Sequence, residues 1–343
     1  MTIRVFVDAN IYIGDGRPPG GDVMRALANL IKIKKLSLIT TDVTINEITK
    51  HFSTHDVKSL GAALKPHVRG LIKEITGIEL PELSADEIAA SIWARNEKLT
   101  RKMFADLQAD LLNIDSVRPS EVHKDYATGS GMFAEGAKKD QIPDAFIVKV
   151  IEANAKAKGP ITIFSRDGDF KLAVNAELGI SVVREIGELL DTLDLKVSDQ
   201  NIQMFLQAQS SVILEHASSE ILDFLVYVDD YSELEGEVIS LEAAEIVEIE
   251  EFKIDEHETL LTGSMKITAH IGYSGPDMST AIYDSEDKRA YAIHELEGEI
   301  TEDFEVKFTM TISNDENGVP EQIESLNLVN DGPLYLSLDD NYK

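Results

Sequence analysis

The apolar pattern begins at once. Residues 3–8, IRVFVD, form a continuous apolar run closed by an acid, which predicts a strand buried on both faces. Apolar positions then recur at helical spacing through GGDVMRALANLIKIKKL, LSLITT predicts a second strand, and TINEITKHF opens a helix. Residues 56–76 and 84–113 predict two further helices, separated by the breaker segment TGIELPELSADE. There Pro81 and Ser84, with Glu87 three positions later, mark a helix start. Residues 114–142 are polar with several glycines and read as a long loop. PDAFIVKVIEANAKAK, with Pro143 in its first turn, predicts a helix. PITIF predicts a strand, DGDFKLAVNAEL a helix, and GISVV a last short strand.

Strands that alternate with helices predict an α/β domain with a mainly parallel sheet over residues 1–195. Residues 196–230 carry apolar positions at helical spacing, among them Ile202, Phe205, Leu206, Val212, Ile213, Ile221 and Leu222, and read as a connecting helix. After about residue 235 the period changes to two. IVEIEEFKI, GSMKITAHIGY, TAIYD, YAIHELEGEI, FEVKFTMTIS and ESLNLV predict an antiparallel β domain of five to seven strands over residues 231–343.

Charge sharpens that boundary. The net charge is −30, and residues 196–343 hold 34 acidic against 7 basic side chains, leaving 28 and 25 in residues 1–195. A polyanion would be repelled by the second part, so a nucleic-acid partner is expected at the first. The acidic β domain is expected to meet a second copy or a protein partner, or to mimic nucleic acid. The chain has no cysteine, which excludes disulfides, thiolate metal sites and cysteine nucleophiles. The β-branched start leaves no room for a signal peptide, and no stretch approaches the roughly 20 apolar residues of a membrane span. A soluble, cytoplasmic protein is the expectation.

In an open parallel sheet, ligands bind beyond the carboxyl ends of the strands. The polar residues at those ends are acids. Asp8 closes the first strand, and Glu47 lies in a Thr44–Glu47 capping-box pattern. Asp144 sits in the first turn of its helix, and Asp167 and Asp169 follow the strand ITIF. Each alone reads as a turn or capping residue. Together they would repel one another unless a cation compensates, and an all-oxygen donor set suits Mg²⁺ or Mn²⁺.

VFVDANIYI, the Glu47 segment, PDAFIVKV and FSRDGDF resemble, in order, the four acidic motifs of PIN-domain nucleases. The resemblance covers roughly residues 1–190. It implies a three-layer α/β/α fold and an Mg²⁺- or Mn²⁺-dependent endonuclease acting on RNA more than DNA. Asp8, Glu47, Asp144 and Asp167 would be metal ligands, Asp169 a further acid, and Asn10 and Ser165 small polar supports. The long insertion before the third motif and the β domain resemble longer bacterial PIN-like proteins. The alternative is a non-catalytic PIN-fold module whose acidic domain contacts a protein.

Other motifs fall short. Asn10 stands where a haloacid-dehalogenase phosphatase needs a second aspartate, and the glycines of DANIYIGDG come too late for a dinucleotide turn. DGDFKLAV lacks the third EF-hand ligand. His51 and His55 follow Glu47 at helical spacing, which leaves open a zinc site or a surface role. The clusters KIKK, KLTRK and the pair Lys138–Lys139 read as solvated faces or phosphate contacts, the pair being the better placed because it precedes Asp144.

Overall fold

The apolar run at the N-terminus becomes the central strand of a parallel sheet in the computed structural model of the chain. The structure describes residues 2–63, 65–77, 84–135, 139–222, 224–228, 234–277, 280–284, 289–329 and 332–336. They fall into two compact units, Met1–Asp194 and Leu195–Lys343. The first unit begins with β1 (Ile3–Val7), α1 (Ala9–Gly14), α2 (Asp22–Lys32), β2 (Leu36–Thr41), α3 (Asp42–Ala63) and α4 (Pro66–Thr76). It continues with α5 (Ala85–Asp106), β3 (Asp110–Leu112), α6 (Pro119–Thr128), α7 (Ile142–Lys158), β4 (Ile161–Phe164), β5 (Ile180–Val183) and α8 (Ile186–Asp191).

The five strands are all parallel, in the order β3-β2-β1-β4-β5. The order reverses between β1 and β4, and connections leave to opposite faces there, which opens a crevice beyond the strand ends. Val7 pairs with Phe164, so the two strands end level. Val5, Phe6 and Val7 are buried, and Phe6 shares a core with Ile39, Ile163 and the α7 residues Ile147, Val148 and Ile151. On α3 the buried residues Ile45, Ile48 and Phe52 follow helical spacing.

Several expected boundaries move. Residues 56–63 complete α3, and α4 starts afresh with Pro66 in its first turn, where the missing N–H costs nothing. The helix expected over 84–113 starts at the Ser84–Glu87 capping box but ends at Asp106. Gln108, at φ 52°, then turns the chain into edge strand β3. Pro81 lies outside the described residues. The loop expected over 114–142 contains α6, opened by Pro119 and stopped by Gly129 at φ 61°. DGDFKLAVNAEL yields only a 3₁₀ turn, Gly168–Ala173, because Asn175 exchanges backbone hydrogen bonds with Ile180 instead of continuing a helix.

The second unit contains β6 (Lys196–Val197), α9 (Gln200–Ala208), α10 (Ser210–Ile221), β7 (Val226–Val228), β8 (Glu235–Lys253) and β9 (Glu258–Pro276). After them come β10 (Ile282–Asp284), β11 (Arg289–Tyr291), β12 (Glu295–Asn314), β13 (Pro320–Val329) and β14 (Leu334–Leu336). Residues 196–230 are therefore not one connecting helix. The helical pattern breaks at Gln209, and Ile202, Leu206, Ile213, Ala217 and Ile221 are buried in this unit's core. The sheet order is β13-β12-β9-β8-β7-β14, with β6 paired to β8. All its pairings are antiparallel except β7 with β14, so the sheet is mixed. Most of YAIHELEGEI and all of FEVKFTMTIS merge into the single strand β12. Alternation decides the faces: Met265, Ile267, Ala269 and Ile271 point into the core, while Lys266, Thr268 and His270 point away.

At Gly263 a Cβ would stand 1.9 Å from the Glu248 carbonyl oxygen, beside an irregular register in β8. Backbone cannot yield there as a flexible side chain would. Gly263→Ala is expected to destabilise the second unit by roughly 2–4 kcal/mol, measured by urea unfolding. Gly70→Ala, in open space within α4, is the control and should stabilise by roughly 0.5–1 kcal/mol.

Candidate active site

Beyond the level ends of β1 and β4, the first and last acidic segments are joined by one buried hydroxyl. Asp8 begins α1 as its N-cap, and its Oδ1 accepts from the Ala9 N–H at 2.8 Å. Its Oδ2 accepts from Ser165 Oγ at 2.7 Å. Ser165 Oγ in turn accepts from Asn10 Nδ2 at 3.2 Å and from the Asp167 N–H at 3.0 Å. Its one donor and both acceptor sites are thus used. Asp167 caps the following 3₁₀ turn, its Oδ1 accepting from the Asp169 N–H at 2.8 Å. The capping and site-building readings of these two aspartates are satisfied by the same geometry.

Glu47 reaches the site from α3, which follows β2. The expected Thr44–Glu47 capping box does not form. The helix starts at Asp42, and Thr41 Oγ1 accepts from the Thr44 N–H at 3.1 Å, so Glu47 lies in the second turn with its carboxylate free of capping work. Asp144 lies in the first turn of α7 behind Pro143. Gln141, just before that helix, donates from Nε2 to Asp169 Oδ2.

Electrostatics shows that these side chains share one neighbourhood. The Asp144 carboxyl is pushed up to about 8, first by burial and then by the charges of Asp8, Glu47, Asp167 and Asp169. Glu47 is raised to about 7 by burial and by Asp8, with Lys50 opposing. Asp8 is raised to about 6, where burial outweighs the hydrogen bonds from Ser165 and Ala9. Four separate segments therefore supply the five acids, and the charges of the other four all reach Asp144.

The donor chemistry, carboxylate oxygen without thiolate, fits a hard divalent cation. Among the described residues, no three His, Asp or Glu side chains are gathered closely enough to hold an ion as they stand. Mutual repulsion opposes such a closing of the acids on their own. His51 and His55 are exposed and form no zinc cluster with Glu47. The KIKK run is largely exposed, and in KLTRK Arg101 and Lys102 pair with Glu97 and Asp106 along α5. Lys138 and the side chain of Lys139 lie outside what the structure describes.

Two contributors carry no sequence signal. Gln141 meets Asp169 across 28 positions. The Tyr12 hydroxyl is buried with no hydrogen-bond partner among the described residues, its pKa driven up by burial and by the charge of Asp8. Its place in an apolar helix reads only as core.

The raised carboxyls link the site to stability. The folded state holds these protons more tightly than the unfolded chain, so their contribution is complete below about pH 4. It is lost as pH rises through the folded values, up to about 8 for Asp144. In chelator, Asp144→Asn should therefore stabilise the fold near pH 8 by on the order of 1 kcal/mol once solvent screening of this partly exposed group is allowed for, read as a raised melting temperature. No gain is expected near pH 4. An equal gain at both values would refute the electrostatic origin.

Known proteins bear on this arrangement. No curated protein matches the chain. One solved structure, a DUF1998 helicase MrfA bound to DNA, matches at 11% identity with a TM-score of 0.14. The match covers 91% of this chain and 46% of that one, and it is too slight in shape to carry an argument. Residues 5–170 match the PIN domain family, a span that runs from β1 through Phe170 and includes all five acids. PIN domains are generally metal-dependent nucleases. The N-terminal unit, with its five-stranded parallel sheet and acids beyond the strand ends, belongs to the PIN domain family.

Proposed function

We propose that the chain is an endonuclease that hydrolyses phosphodiester bonds in single-stranded RNA with Mg²⁺ or Mn²⁺. The observation that carries this reading is the convergence of Asp8, Glu47, Asp167 and Asp169 on Asp144. A module used only for binding has no need of mutually repelling carboxylates. The choice of RNA over DNA rests on the motif resemblance.

Asp8, Glu47, Asp144 and Asp167 would hold the cation. When bound, it supplies positive charge at the phosphoryl oxygens and makes water more acidic. The protein's part is positioning. Ser165 and the Ala9 N–H fix both oxygens of Asp8, and Asn10 steadies Ser165. Asp169, held by Gln141, is a further acid beside the ligands, and one of the carboxylates would orient the attacking water for in-line displacement.

Purified protein should cleave single-stranded RNA with Mn²⁺ or Mg²⁺ and stop in chelator. Asp8→Asn and Asp144→Asn should each reduce kcat/KM by roughly 100-fold or more. Ser165→Ala removes a support rather than a ligand and should cost about 10-fold. Activity that survives both chelator and Asp8→Asn would sink the reading, and cleavage of DNA alone would correct its substrate.

A further inference from the structure

Glu47, His51 and His55 follow at four-residue intervals on α3 and line one face of it. Glu47 belongs to the carboxylate cluster, and with a rise of about 1.5 Å per residue the imidazoles lie about 6 and 12 Å further along the helix. Arg17, in the segment after α1, meets the far end of this line. Its Nη2 lies 3.4 Å from His55 Nδ1, and its guanidinium stands 5.1 Å from the centre of the Phe52 ring. Both terminal nitrogens donate to Asp56, which Arg95 also approaches at 3.9 Å. One carboxylate thus answers two guanidiniums before either imidazole is counted.

This patch is the converse of the acid cluster. Burial, His55 and Arg17 together push the His51 imidazole down, which favours its neutral form until an anion balances the nearby positive charge. Asp56 and Phe52 fix Arg17 in place, while its side chain stays 45% exposed and open to a ligand. A bound anion would relieve the repulsion, and the spacing from Glu47 sets that anion beyond the reacting phosphate.

We propose that Arg17, His51 and His55 form a phosphate-binding stripe for the nucleic-acid backbone flanking the scissile phosphate. The assignment rests on the nuclease reading above and adds to it the path along which the strand leaves the carboxylates. The stripe addresses the backbone, so it sets affinity and register rather than base preference.

The test is binding of fluorescein-labelled oligouridylate to the full chain carrying Asp8→Asn, in Mg²⁺, across a salt series. Adding His51→Gln with His55→Gln should weaken binding by about 5-fold or more. The imidazoles act by hydrogen bonding, so the dependence on log salt should stay as in the parent. Arg17→Gln should weaken binding likewise and make that dependence shallower by about 0.7, for one phosphate no longer neutralised. The histidine pair lies on an exposed helix face and keeps the test sound if Arg17→Gln disturbs the fold. Lys102→Gln, which removes a charge on α5, should change neither quantity. In otherwise wild-type protein the histidine variants should raise KM for cleavage more than they lower kcat. Unchanged affinity in the histidine variant, with wild-type cleavage intact, would overturn the stripe alone. Absence of both binding by the parent and cleavage by wild type would overturn the nuclease reading and the stripe with it.

Discussion

One hydroxyl, that of Ser165, holds together segments more than 150 positions apart. It donates to Asp8 and accepts from Asn10 and from the backbone of Asp167. A buried hydroxyl with every site used is rigid, because any rotation would leave a desolvated polar group unpaired. That rigidity fixes Asp8 at the end of β1 and the turn after β4 in one geometry. The other acids reach this fixed point from α3 and α7. The parallel sheet supplies the level strand ends, and the hydroxyl turns that alignment into a site.

Around that point the fold keeps like charges together at a cost to itself. Burial and repulsion leave Asp8, Glu47 and Asp144 protonated at pH values where free carboxyls are ionised. Apolar packing beneath them, from Val5, Phe6, Val7 and the inner face of α7, has to sustain this. The same logic with opposite sign applies at His51, where burial, His55 and Arg17 oppose a charge on the imidazole.

Four of the five sheet strands of the first unit were legible because continuous apolar runs bounded by turn residues allow few other readings, whereas the three-residue edge strand β3 was hidden in the tail of a helical pattern. The acids were legible because strand ends are where such a sheet presents ligands. Helix limits were less so. Gln108 and Asn175 stop helical patterns by backbone geometry and pairing that no side-chain period records. Glu47 looked like a capping residue because Thr44 precedes it by three, and Thr41 one turn earlier takes the capping contact instead. The pair α9 and α10 read as a connector because their apolar faces do not reveal which core they enter. Gln141 and Arg17 act on residues far along the chain, and local pattern carries no trace of that.

The one parallel pair among the described residues of the second unit has a kinetic meaning. Strands β8 and β9, and likewise β12 and β13, are sequence neighbours as well as sheet neighbours, and only the short pair β10–β11 separates β9 from β12, so this part can zip up with little loop closure. Pairing β14 with β7, through the register Leu334–Val226 to Leu336–Val228, instead closes a separation of 108 positions. Tyr227 and Tyr335, their rings 6.2 Å apart on the outer side, fasten this short ladder. Closing it is the natural last step of folding, and opening it the least costly first step of unfolding. The C-terminal strand is thus the latch of the unit, and hydrogen exchange there will report local opening well below the global unfolding free energy.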